Sequence, residues 1–112
     1  MDNILFELNV TSTVSITVDL ALKVMQLEAL GKQFAVTDDP FLKESFKVAS
    51  DLIFEDMAMM VKEVNMLLSE INYTDPAVQI RLDQEASAKA KELNLEPYFA
   101  SILPVCQLGG IV

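Results

Sequence analysis

The apolar positions at the start of the chain alternate with polar ones. Phe6, Leu8, Val10, Val14, Ile16 and Val18 are interleaved with Glu7, Asn9, Thr11, Thr13, Ser15 and Thr17, and Ser12 is the single break. A period of two with Thr and Val enrichment predicts a β-strand, or a hairpin bent around Thr11-Ser12-Thr13, over an arm at 1–18. A lone strand or hairpin is marginal in water, so this arm is expected to pair with something.

From Asp19 to Leu30 the pattern turns helical. Leu20, Val24 and Leu27 share a face, Ala21 and Met25 flank it, and Gly31 is placed to cap the C-terminus. Thr37-Asp38-Asp39-Pro40 is a strong start signal, because proline is pre-organised for the first helical turn and a preceding Asp can cap orphan amides. Leu42, Phe46, Ala49, Ile53, Met57, Met60, Val64, Leu67 and Ile71 then recur at spacings of three and four. They predict a helix from Pro40 to about Ile71, on the order of 48 Å long. A second apolar set, Phe41, Val48, Leu52, Phe54, Met59, Val61, Met66 and Leu68, makes its stripe wider than one neighbouring helix can cover.

Thr74-Asp75-Pro76 repeats the start signal and opens a more polar helix to about Leu95, with a narrow stripe at Ile80, Ala86, Ala90 and Leu93. The two Thr-Asp starts share little sequence downstream, so they read as independent caps rather than a repeat. A short helical turn is expected after Glu96-Pro97, and then an uncharged apolar tail. The expected fold is therefore mainly α in a single domain. It has about three helices including one long central helix at 40–71, a strand or hairpin arm at 1–18, a helical core at 19–96 and an extended apolar tail at 97–112.

Composition narrows the function. The chain has 112 residues, 52% hydrophobic and 22% charged, which excludes a disordered chain, because it carries enough apolar surface to offset ordering entropy. It holds no histidine and one cysteine, Cys106. His-dependent nucleophile pairs, His-ligated metals and disulfide frameworks are thus impossible within one chain. Cys106 lies among apolar residues with no base nearby in sequence and reads as an inert thiol.

Seventeen acidic against 8 basic residues give a net charge of −9, a field that repels phosphate backbones and anionic membranes. Direct nucleic-acid binding and a membrane role are not expected. The Met1-Asp2-Asn3 start carries no secretory pattern, so the chain is expected inside the cell. Glu55-Asp56 and Glu63 read as surface carboxylates, Asp38-Asp39 as a cap, and Gly109-Gly110 lacks the helix and Lys that a phosphate loop needs. No enzyme activity, cofactor, metal or small-molecule substrate is expected.

What remains is surface for assembly. Met57, Met59, Met60 and Met66 can fill core gaps or form an adaptable binding face. Free termini are normally polar, so an apolar tail favours docking into the chain's own core or, preferably, a neighbour. The candidate interface residues are Val14, Ile16, Met59, Met66, Ile102, Leu103, Val105, Leu108, Ile111 and Val112.

The run from Asp38-Asp39-Pro40-Phe41-Leu42 to Ala49-Ser50-Asp51-Leu52-Ile53 resembles small tailed-bacteriophage head-to-tail connector (adaptor) proteins, in which an Asp-rich turn opens a helix bearing apolar pairs and a central alanine. Val18-Asp19-Leu20-Ala21-Leu22-Lys23 and Leu27 look like that family's first short helix. The likeness covers about a third of the chain, and the strand-like N-terminal arm departs from the pattern. The resemblance implies a mainly helical structural subunit that forms a homo-oligomeric ring, first in the host cytoplasm and then in the virion, with terminal segments reaching neighbours. The alternative is a small acidic binding protein or inhibitor that occupies a basic, nucleic-acid-binding surface of a partner.

Overall fold

The computed structural model describes residues 2–99, with side chains from residue 4. Helix α1 spans Asp2–Val36, α2 Pro40–Glu70 and α3 Pro76–Glu92, followed by a 3-10 turn at Glu96–Tyr98. The mainly α expectation holds. The molecule is a rod of 56 × 28 × 22 Å, its length set by α1, which at 1.5 Å per residue is about 52 Å long.

The N-terminal strand is not there: the 1–18 arm is helical from Asp2 onward and belongs to α1. Residues that alternate along a strand also fall at three and four along a helix. Phe6, Val10, Thr13, Val14, Thr17, Val18 and Ala21 form the inward face, and two of them are the threonines that looked like a wet strand face. Both are buried, and each satisfies its hydroxyl locally: Thr13 Oγ1 donates to the Asn9 carbonyl at 2.7 Å and Thr17 Oγ1 to the Thr13 carbonyl at 2.7 Å. Leu8, an apolar member of the alternation, faces solvent, as do Ile4 and Leu5 before it. The β preference of Val and Thr is context-dependent, and burial against two helices overrides it here.

The first helix therefore neither begins at Asp19 nor ends at Leu30. It runs through Gly31, where an added Cβ would meet nothing within 4 Å. The Glu28–Lys32 pair, 3.1 Å and one turn apart, supports that stretch. The Asp38-Asp39-Pro40 start then breaks the chain, since the residue before proline is pushed out of the helical region.

The two caps behave as the sequence predicts. Asp39 accepts from the Phe41 amide and Asp75 from the Ala77 amide, both at 2.9 Å. Helix α2 ends at Glu70, next to the predicted Ile71, but α3 stops at Glu92, short of Leu95. Each of these last two helices is followed by an asparagine in the left-handed region, Asn72 at φ 52° and Asn94 at φ 59°, a conformation that asparagine tolerates better than most residues.

The central element is α1, not the helix at 40–71. Helices α2 and α3 both pack on α1 and scarcely on each other. Near the N-terminal end of α1, Val10 packs with Val64, Leu68 and Ile71 of the α2 end and with Leu82 of α3. Further along, Val18 and Ala21 receive Ala86, Ala90 and Leu95. Only Leu82, Ala86 and Ala90 of α3 are buried, while Ile80 and Leu93 of its predicted stripe are exposed. Small alanines let α3 approach α1 closely. Beyond Tyr98 and Phe99 the other half of the α1–α2 hairpin has no third helix among the described residues.

Candidate functional site

Helix α2 carries two apolar faces. Val64 and Leu68 are buried against the core, with Phe46, Ala49, Ile53, Met57 and Met60 half-buried in line with them. The second set predicted from the sequence divides. Val61 and Leu68 turn inward, but Phe41, Val48, Leu52, Met59 and Met66 stand 78%, 50%, 57%, 70% and 68% exposed. At 3.6 residues per turn those five fall within a sector of about 40° on the far side of the helix from Val64 and Leu68. Their spacing of seven, four, seven and seven keeps them on one stripe, while Ser45, Glu55 and Lys62 stand at the intervening three-and-four positions that a full coiled-coil seam would also make apolar. Phe54 is also exposed but lies on another side of the helix.

The seam has acidic edges. Glu44, Asp51 and Glu55 border one side, with Lys62, and Asp56, Glu63 and Glu70 border the other, all exposed. Asp56 meets Lys23 of α1 at 3.6 Å. Among the described residues none of the other five carboxylates is in an ion pair. Met59 also lines a groove of about 520 Å³ between α1 and α2, with Ile16, Leu22, Lys23, Asp56 and Glu63, so the apolar surface continues from the seam toward α1.

On the other flank of α1 a groove of about 530 Å³ runs against α3, bordered by Thr11, Ser15 and Asp19 and by Glu85, Lys89 and Glu92. It sets three carboxylates and one lysine around two hydroxyls, with no thiol or imidazole for nucleophilic work. Among the described residues no three His, Cys, Asp or Glu side chains gather as metal ligands.

The candidate interface residues separate by place. Met59 and Met66 lie on the seam. Val14 and Ile16 are half-buried against the chain's own clusters, because the arm is a helix rather than an open strand. Ile102, Leu103, Val105, Leu108, Ile111 and Val112 lie outside the described residues. The sequence pattern places Met59 and Met66 in the second apolar set with Phe41, Val48 and Leu52, and Met57 and Met60 in the first; the first-named pair is exposed and the other half-buried.

No family model matches this sequence, and no curated protein or solved structure matches it significantly. The surface chemistry of the chain itself carries the functional argument.

Helix α1 is long and apolar enough over Ile4–Val36 to cross a membrane by length and composition. Of an 18-residue apolar stretch within it, 39% is buried inside the protein, and Glu7 and Lys23 reach out from the helix to Arg81 of α3 and Asp56 of α2.

Proposed function

We propose that this protein is a non-enzymatic docking subunit of a protein assembly, acting inside the cell, and that its docking surface is the outer face of α2. The observation that carries this reading is the seam itself: five large apolar side chains along one stripe of α2, exposed and turned away from the chain's own core. Contiguous exposed apolar surface of this kind marks interaction sites in folded proteins.

The specific form suggested by the 38–53 resemblance is a phage head-to-tail connector ring. That segment is the capped opening of α2 and contains Phe41, Val48 and Leu52 of the seam. A second form, an acidic protein occupying a basic partner surface, is favoured by the carboxylates along both edges.

The test is the size of the particle that contains the chain, measured in extracts of cells that make it, beside light scattering of the purified chain across concentration. The docking reading expects the chain in a complex well above 12.4 kDa, released when Leu52 and Met59 are both changed to Asp. A ring-sized mass for the purified chain favours the connector form. A chain that runs alone in the extract as in purified form overturns the proposal.

A further inference from the structure

We infer that the outer face of α2 receives an amphipathic helix of a different protein, apolar along one stripe and bordered by Lys or Arg, rather than a second copy of this chain. This rests on the docking reading and names its occupant.

Three observations converge. The seam from Phe41 to Met66 extends roughly 38 Å, seven turns of helix, so it matches an element as long as itself. Its five apolar side chains lie along one stripe of a helix, the kind of surface that the apolar stripe of another helix covers. Its edges hold six carboxylates and one lysine, so the charge that complements it is positive.

A second copy fits this pattern poorly. Packed antiparallel in the register that pairs Phe41 with Met66 and Val48 with Met59, it brings Glu44 opposite Lys62 but sets Asp51 against Glu55. Packed parallel, it sets Glu44, Asp51 and Glu55 of one copy along the edge that holds Asp56, Glu63 and Glu70 of the other, and Lys62 alone meets opposite charge. Either way acidic edges meet acidic edges on chains of net charge −9, and like charges placed opposite one another are destabilising.

The test uses the full chain and two synthetic helical peptides of about 25 residues, long enough to cover the seam. Both carry Leu at the seam positions; one carries Lys at the edge positions and the other Glu. Binding is read by fluorescence anisotropy, with light scattering of the chain alone alongside. The Lys-edged peptide is expected to bind at least about tenfold more tightly than the Glu-edged one. Leu52→Asp should weaken that binding about tenfold even though it adds a negative charge, which separates seam docking from charge attraction. The pair Glu55→Lys and Glu63→Lys should shift the preference toward the Glu-edged peptide.

Equal binding of the two peptides overturns the inference, and so does Lys-peptide binding that Leu52→Asp leaves unchanged or strengthens. If the chain alone forms an oligomer that Leu52→Asp dissociates, the docking reading stands and the occupant is a second copy. If neither peptide binds and the chain stays monomeric, both fall.

Discussion

The guanidinium of Arg81 grips the carboxylate of Glu7 with both terminal nitrogens, Nη1 donating to Oε1 at 2.9 Å and Nη2 to Oε2, across 74 positions of sequence. The same guanidinium donates from Nε to Glu85 at 3.0 Å and lies 5.6 Å from the centre of the Phe6 ring. A planar donor fork shared this way ties α3 to the first turns of α1, and lysine could not reproduce it.

That pair makes stability depend on pH in one direction. The hydrogen bond from Arg81 holds the Glu7 carboxyl below its ordinary value of 4.5. A carboxyl with a lowered folded value contributes stability above the unfolded value and loses it as pH falls through the folded one. The melting-temperature gap between the natural chain and Glu7→Gln should therefore be full at neutral pH and close below pH 4.5. A gap that persists unchanged at pH 3 contradicts the assignment.

Glycine inside a helix costs about 1 kcal/mol relative to alanine. Gly31 is helical, and a Cβ there would meet nothing within 4 Å. Gly31→Ala should raise unfolding stability by about 0.5–1 kcal/mol in a denaturant titration with an unchanged slope. A loss of stability would mean that the helix ends earlier, near Leu30.

Thr13 and Thr17 test the helix against the strand more directly. Their buried hydroxyls donate to carbonyls four residues back, and those carbonyls keep their regular helical bonds when the hydroxyls are removed. Thr17→Val should hold stability constant or raise it by up to about 1 kcal/mol, because a methyl suits that apolar site at least as well. Thr17→Asp should be strongly destabilising, since it buries an unpaired charge. Chemical denaturation of both variants, with helix content read by circular dichroism, checks the pair.

The parts of the fold with local punctuation could be read from the sequence. Asp39-Pro40 and Asp75-Pro76 fixed where α2 and α3 begin, because an N-cap followed by proline acts on the adjacent amides alone. The arm was misread because its evidence was ambiguous: Val10, Val14 and Val18 satisfy a period of two and a period of four equally, and only the buried Thr13 and Thr17, satisfied within their own helix, decide between them. The seam was half legible. Phe41, Val48, Leu52, Met59 and Met66 stood out as surplus apolar positions, but which of the wider set would be covered depended on which face of α2 meets α1. The close approach at Ala86 and Ala90 is a tertiary choice that leaves no mark on α2.

Because, among the described residues, α3 and the Glu96–Tyr98 turn reach only part of the way along α1, the described rod has a well-braced end and a thin one. Among the described residues, the stretches from Gln33 to Val36 and from Pro40 to Ser50 are supported by one another, with Lys43 over the Phe34 ring at 5.3 Å. Amides there are expected to exchange with solvent faster than those of the Val10–Leu82 layer, through openings that start at the Asp38-Asp39 turn. The thin end also holds Phe41 and Val48, and a helix laid along α2 would splint it, extending slow exchange to the tip of the rod.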